Sequence, residues 1–174
     1  MIELAIVAVP LLIILLGLAE LGLLWRNALT MDQASRSAAR VGANLTNNPA
    51  ADREALRALV SNLDDDELDQ IQYVVLYEVD STGAMPPTCV SGSTPVCNHY
   101  TPTMLTQLDD DSKWECGSGS FDGQWCPTSR SPEFHTPVDM GVLIVAERDW
   151  LSGFFGSSVR LTSLTVMRLD PLTR

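Results

Sequence analysis

Apolar residues run almost unbroken along the first 25 positions of the chain, and Leu4 to Ala19 contains no charged side chain. A helix needs about 20 residues at ~1.5 Å each to cross a ~30 Å hydrocarbon layer, and Ile2 to Trp25 is long enough. No basic segment precedes the run and no small-residue cleavage site follows it, which favours a retained membrane helix over a cleaved signal. Pro10 lacks an N–H, so we expect a kink near residues 6–10.

From Leu24 to Leu45 apolar or small residues recur every three or four positions, which is the spacing of one helix face. We therefore predict one continuous helix over residues 2–44, with an apolar half (1–25) and an amphipathic half (26–46) that rests on a globular domain (47–174). The predicted face consists of Leu24, Ala28, Met31, Ala34 or Ser35, Ala38, Val41 or Gly42, and Leu45.

The patterns beyond residue 47 predict one more helix and three strands. Asn48 can cap a helix with Pro49 at its first position, which predicts a helix over 49–63. Residues 71–79 are rich in β-branched and aromatic residues and place Ile71, Tyr73, Val75, Tyr77 and Val79 on one face. Residues 158–169 alternate, and 141–148 is a near-continuous apolar run, as expected of strands. The predicted fold class is α+β, with the long helix packed on a small, about three-stranded antiparallel sheet.

A wide apolar loop joins the last two predicted strands. Its tip carries Trp150, Leu151, Phe154 and Phe155, with Gly153 and Gly156 as hinges. If such a cluster is exposed it marks a protein or lipid contact, and if it folds back it caps the core. The sequence leaves both possibilities open.

Residues 84–137 form a predicted irregular insertion that is rich in proline, glycine and serine and contains Cys89, Cys97, Cys116 and Cys126. An even number of cysteines behind a membrane segment indicates disulfides formed in an oxidising compartment. Three connectivities are possible, and we favour Cys89–Cys97 with Cys116–Cys126, which closes two short loops. The gaps are too long for the CxxC-type spacing of a zinc site. We expect the disulfides to hold this insertion on the outside of the domain.

The net charge of −11 is uneven, because the charges of residues 1–48 sum to zero and the excess acid lies beyond them. Such a surface repels nucleic acid, so we expect no nucleic-acid partner. Two acidic runs are weak calcium candidates, although neither matches an EF-hand loop and we expect solvated turns. Their residues are Asp64, Asp65, Asp66, Asp109, Asp110 and Asp111.

Catalytic motifs are absent from the sequence. It contains no GxSxG, HExxH, CxxC or glycine-rich phosphate loop. His99 and His135 lie 36 residues apart in the irregular insertion, and this arrangement does not favour a general-base role for either. We therefore expect no enzyme activity and no cofactor.

Several motifs resemble the TadE/TadG group of tight-adherence pilin-like proteins, which are related to type IV pilus subunits. Ile2-Glu3-Leu4-Ala5, Pro10 and Glu20-Leu21-Gly22 stand where that family has a V-E-F-A-L-like start, a proline and an E-[FL]-G. The AARVGA of 38–43 is similar to the family's A-A-R-[EV]-G-A turn, and LTSLTVMRLDP of 161–171 to its closing strand. The acidic, cysteine-containing middle looks like the actinobacterial branch.

The resemblance implies a structural subunit that is held in the cytoplasmic membrane, trimmed by a prepilin peptidase and passed by an assembly platform into an extracellular pilus. Copies of the chain or other Tad-type pilins would be its partners through the N-terminal helix. The implied assembly residues are Glu3, Ile2, Leu4, Pro10, Glu20 and Gly22. Glu3 would face the N-terminal amine of a neighbouring subunit, because a buried ammonium and a buried carboxylate satisfy each other.

Glu3 departs from the family pattern, in which the acid is usually the fifth residue behind a cut that follows a glycine. Either the chain starts inside the mature helix, or processing differs, or no processing occurs. A membrane-anchored extracytoplasmic binding or adhesion module that never polymerises is the alternative function. A secreted enzyme with a vestigial anchor is a further rival.

Overall fold

One helix dominates the fold. The computed structural model describes residues 2–80, 84–117, 119–130, 138–153 and 156–170, without the side chains of residues 2–5. Helix α1 runs from Ile2 to Leu45, with Pro10 inside it, which confirms the predicted long N-terminal helix. Its 44 residues correspond to a rod of about 66 Å. The kink at Pro10 stays a prediction.

Within the described residues the sheet has four strands, so the predicted number of about three is wrong. Its strands are β1 (Ile71–Glu78), β2 (Cys97–Tyr100), β3 (Asp139–Asp149) and β4 (Ser158–Arg168), in the antiparallel order β2-β1-β3-β4. The additional strand, β2, comes from the cysteine-containing insertion. Its four residues, CNHY, are too short and too polar to show a strand periodicity. Pairing with β1, from Val74↔Tyr100 to Tyr77↔Cys97, defines it instead.

The described residues also contain three short α-helices: α2 (Ala51–Val60), α3 (Asp65–Asp69) and α4 (Pro102–Leu105). Helix α2 is shorter than the predicted 49–63, and Asn48 is not its N-cap. The Asn48 carboxamide oxygen instead accepts a hydrogen bond from the Ala50 N–H at 2.9 Å, in the turn that precedes the helix. This local side-chain bond competes with helix formation.

The amphipathic half of α1 packs on α2 and on one face of β3 and β4. Its buried positions are mostly small: Met31, Ala34, Ser35, Ala38, Ala39, Gly42 and Ala43. Small side chains bring the helix close to its neighbours, and a Cβ at Gly42 would lie 2.5 Å from Met140 Cε. Asn27, rather than the predicted Ala28, is buried on this face, because its side-chain N–H donates to Gln70 Oε1 at 3.3 Å.

Strand β1 is buried on both faces. Val74 and Leu76 join the main core under α1, whereas Val75 and Tyr77 form a second cluster with Cys89 and Cys97. The register shifts between Ile71 and Tyr73. For that reason Ile71 lies in the main core, although strict alternation placed it on the same face as Tyr73. The Cys89–Cys97 part of the insertion therefore covers the face of the sheet that α1 leaves open.

Both disulfides join near neighbours, Cys89 to Cys97 and Cys116 to Cys126, which is the connectivity favoured above. The insertion is not an outer appendage, however. Its residues Tyr100, Leu105, Trp114 and Trp125 belong to the main core. Trp114 stacks on Tyr100 at 5.7 Å and meets the edge of Phe121 at 5.4 Å between ring centroids.

Tyr77 makes the fold sensitive to alkaline pH. Its hydroxyl is buried and has no hydrogen-bond partner among the described residues. Burial, with the nearby Asp80 carboxylate, raises the pKa of Tyr77 to about 12. Because the folded pKa exceeds the unfolded value of about 10, the stabilising contribution is complete below pH 10 and is lost between pH 10 and 12. We expect the free energy of unfolding in urea to fall across this window, by about 1.4 kcal/mol per pH unit for each such tyrosine.

Tyr77→Phe is the control for this prediction. It removes the titrating group together with an unpartnered hydroxyl, so stability at pH 7 should be equal to or above that of the wild type. The alkaline loss should shrink without vanishing, because burial and the Asp52 carboxylate also raise the pKa of Tyr100 well above its usual value. Identical pH profiles for Tyr77→Phe and the wild type would contradict this role of Tyr77.

Candidate assembly and membrane interface

The first half of α1 is an apolar surface that no other described part of the chain covers, apart from one contact at Glu20. From Ile6 to Leu23 its large side chains are between 36% exposed, at Leu23, and 67% exposed, at Ile6, and Trp25 is 71% exposed. Within the described residues α1 is the one helix long and apolar enough to cross a membrane. Soluble monomers rarely leave so large an apolar surface in water. This half of α1 is therefore a candidate contact surface for a membrane or for another protein.

The predicted assembly residues fall along this surface. Ile2, Glu3 and Leu4 belong to the first turn of α1, but their side chains lie outside the described residues. Pro10 is exposed within the apolar half. A Cβ built at Gly22 would have no atom of the chain within 4 Å, so that side of the helix is open to a neighbour.

Glu20 behaves differently from its surroundings, because it is only 6% exposed. Its Oε1 accepts a short hydrogen bond from the backbone N–H of Ser152, in the loop between β3 and β4. Its Oε2 and the Nη1 of Arg148 are both buried without a hydrogen-bond partner among the described residues. Both side chains line one small cavity together with Leu24 and Trp150. The loop thus shields the one carboxylate near the end of the apolar helix.

The tip of that loop is only partly folded back. Trp150 is half-buried at the cavity next to Glu20, whereas Leu151 is 75% exposed. Phe154 and Phe155, the other two residues of the predicted contact loop, lie outside the described residues. An exposed tip and a tip folded back on the domain were the two possibilities, and each applies to a different residue. Trp150 packs inward and Leu151 faces outward.

The acidic runs have partners within the protein. Asp64 caps α3 by accepting from the Glu67 N–H at 2.8 Å, and Glu67 Oε2 accepts from the Asp64 N–H at 3.1 Å. In the second run Asp109 pairs with Arg57 of α2 at 2.8 Å, Asp111 pairs with Arg53, and Asp110 accepts from Ser112. Among the residues that the structure describes, no group of three or more His, Cys, Asp or Glu side chains could hold a metal ion.

The most deeply buried charges were not predicted from the sequence. The side chains of Asp52 in α2 and Arg130 beyond the second disulfide are both 0% exposed, with Nη1 and Oδ1 2.7 Å apart. Asp52 Oδ2 also accepts hydrogen bonds from the Asn98 amide at 2.8 Å, the Tyr100 hydroxyl at 2.7 Å and Arg130 Nη2 at 2.9 Å. We call these four residues the buried polar cluster. An acid in the first turn of a helix is so common that Asp52 gave no signal of this role.

The buried polar cluster ties the second disulfide loop to the sheet. The Asn98 carboxamide accepts from the Trp125 N–H and donates to the Trp125 carbonyl, both at 2.8 Å. The Arg130 guanidinium lies 3.7 Å from the centroid of the Trp125 ring. Burial raises the pKa of the adjoining Asp122 carboxyl above its ordinary value. This arrangement is structural and offers no opening to a substrate, since all of these residues are buried.

Helix α1 is the part of the chain that is similar to a known family. Residues 1–40 match the model of the TadE-like protein family. Over these residues the chain is similar to TadE-like, Tad pilus-related proteins. No curated protein and no solved structure matches it. The resemblance read from the N-terminal motifs is thereby confirmed.

The matched segment contains only one part of this site. It includes Glu20 and Gly22 but ends before β1, so Arg148 and Ser152 lie outside it. The partners of Glu20 could not be found from helix motifs. Only the three-dimensional fold reveals them, because Glu20 and Ser152 are 132 positions apart in the chain.

Proposed function

We propose that this TadE-like protein is a structural subunit of a Tad-type pilus. Helix α1 holds it in the cytoplasmic membrane before assembly and then packs against the same helix of other subunits in the filament core, in a minor, priming or main position. The exposed apolar half of α1 supports this proposal most strongly. The buried core of the domain starts at Met31 and is formed without that half.

The same surface can serve both states. Lipid tails and apolar helices cover Leu and Ile side chains about equally well, so transfer between them need not expose the helix to water. Gly22, with open space around it, allows a second helix to approach closely. The apolar half therefore supplies adhesion between subunits, and its polar residues have to supply alignment.

Glu3 is the residue that we assign to alignment. In a helix bundle its carboxylate would face the N-terminal amine of a neighbour, and a wrong register would leave both charges unpaired in apolar surroundings. A prepilin peptidase and a pilus assembly platform would act on the chain before it reaches the cell surface. The insertion would then contact other subunits or an adhesive target.

Glu3→Ala tests the proposal. We expect normal amounts of the protein in the membrane but a ~10-fold or greater loss of filaments, because a buried unpaired amine costs several kcal/mol. The measurement is electron microscopy of sheared surface material from cells, with immunoblots of the membrane fraction. N-terminal sequencing of the recovered protein identifies the residue that carries the amine.

Asp65→Ala is the matched control, since it removes an exposed acid from the globular domain and should leave filaments unchanged. Wild-type filament yield from Glu3→Ala would refute the assigned role of Glu3. If wild-type cells display the protein at their surface but yield no filament that contains it, the alternative of a non-polymerising, membrane-anchored binding module is correct.

A further inference from the structure

The loop between β3 and β4 reaches further along α1 than the rest of the domain. The polar edge of the domain meets the helix at Arg26 and Asn27, which contact Asp64 at 3.8 Å and Gln70 at 3.3 Å. Ser152 contacts Glu20 instead. Six positions separate Glu20 from Arg26, which corresponds to about 9 Å along the helix axis. The loop tip, which we define as residues 150–153, therefore extends beyond the polar edge towards the apolar half.

The position of the tip matters because of what surrounds that part of the helix. If α1 spans a bilayer, residues near 26 and 27 lie at the water boundary and Glu20 lies below it, among residues that are otherwise apolar. A carboxylate at that depth is costly without a partner. The Ser152 N–H provides one, and the Arg148 side chain lines the same cavity. The loop must then share the depth of the group that it shields.

The chemistry of the tip suits the boundary of a bilayer. Trp150 and Leu151 are adjacent. Trp25 of α1, which lies between Glu20 and the polar edge at Arg26, is 71% exposed. Tryptophan is enriched at this level of membrane proteins. Backbone groups at the two ends of the loop are paired, with the Trp150 N–H donating to the Ser157 carbonyl at 3.1 Å, as a lipid environment requires.

We propose that the loop tip is a second membrane-contact element that inserts Leu151 into the outer leaflet beside α1, with the half-buried Trp150 next to it at the lipid boundary. The inference rests on the membrane-anchored state in the proposed function. It also specifies the lipid: Asp66, Asp69, Glu147 and Asp149 line the adjoining groove and repel anionic headgroups. The contact therefore favours zwitterionic phospholipid.

Fluorescence quenching by brominated lipid tests this contact in the full-length protein. The chain is reconstituted in phosphatidylcholine vesicles whose acyl chains carry bromine close to the headgroup. In Trp25→Phe the remaining tryptophans are Trp114, Trp125 and Trp150, and the first two are only 3% and 4% exposed. We expect bromine to remove the Trp150 share of the emission. Leu151→Asp in this background should weaken that loss.

The matched variant Trp150→Phe reports on α1 alone through Trp25, and Trp25→Phe/Trp150→Phe gives the unquenched baseline. Quenching of Trp150 that weakens when phosphatidylglycerol replaces phosphatidylcholine supports the inference. Quenching of Trp25 without quenching of Trp150 overturns it and leaves the membrane helix intact. If neither is quenched, both the inference and the anchored state are wrong. Quenching of Trp150 that Leu151→Asp leaves unchanged refutes insertion of Leu151.

Discussion

Asp52→Ala should destabilise the domain by about 3–5 kcal/mol, because it leaves the Arg130 guanidinium buried without its counter-charge. Asn98 and Tyr100 would lose their acceptor at the same time. A loss of this size is a large part of the total stability of an ordinary domain. Arg130 also donates a hydrogen bond to the Trp125 carbonyl at 2.9 Å. If Arg130 loses its place beside Asp52, we expect the second disulfide loop to separate from the sheet.

The effect is measured by urea unfolding of the full chain in detergent, followed by near-ultraviolet circular dichroism of the buried tryptophans. Asp111→Ala is the matched control, because it also breaks an Arg–Asp pair with α2, but one whose carboxylate is 82% exposed. That change should cost less than about 1 kcal/mol. Asp52→Ala/Arg130→Met should recover much of the loss, since it removes both charges. Equal effects of Asp52→Ala and Asp111→Ala would contradict the importance of the buried polar cluster.

Gly141→Ala should cost about 3 kcal/mol, at the upper end of the usual penalty for overpacking a core. Gly141 pairs with Tyr77 across β1 and β3, and the Tyr77 ring lies over it. A Cβ at this position would be 2.1 Å from Tyr77 Cζ. The ring is rigid and Tyr77 is fully buried, so neither side of the contact can move away.

Gly42→Ala is the comparison for this variant. Its Cβ would meet the Met140 side chain at 2.5 Å, but the thioether end is flexible and alanine is favoured over glycine in a helix by about 1 kcal/mol. We expect a change within about 1 kcal/mol, measured by the same urea transition. In a double-mutant cycle, Tyr77→Leu should relieve the strain of Gly141→Ala with a coupling of about 1–2 kcal/mol. A strictly additive cycle would show that the ring contact is not the cause.

Local sequence periodicity correctly predicted helix α1 and strand β4. The apolar run and the three-to-four spacing predicted α1 to within one residue of its observed end at Leu45, and the alternation in 158–169 predicted β4. The acidic run 63–69 was expected to be a solvated turn, but Asp64 and Glu67 form a capping box that starts α3. That motif was present in the sequence as an acid followed three residues later by Glu.

The rest depends on contacts between distant residues. Strand β2 exists because its backbone pairs with β1, and Asp52 meets Arg130 across 78 positions of the chain. Nothing in the spacing around either residue marks it as buried. The same holds for the candidate interface, where the motif predicted Glu20 but not the loop that shields it. Sequence periodicity reports which face of an element is buried, and not which partner covers it.

The contact of α1 with β4 joins the two ends of the described chain. The Ser35 hydroxyl lies 2.9 Å from that of Ser163 and 2.8 Å from that of Thr165, and the Asp170 N–H donates to the Ala43 carbonyl at 3.2 Å. Closing contacts over such long stretches of chain slows folding. During synthesis, the part of α1 that β4 covers must remain bare until β4 has been made. A chain interrupted before β4 would retain the apolar half of α1 without a complete globular domain.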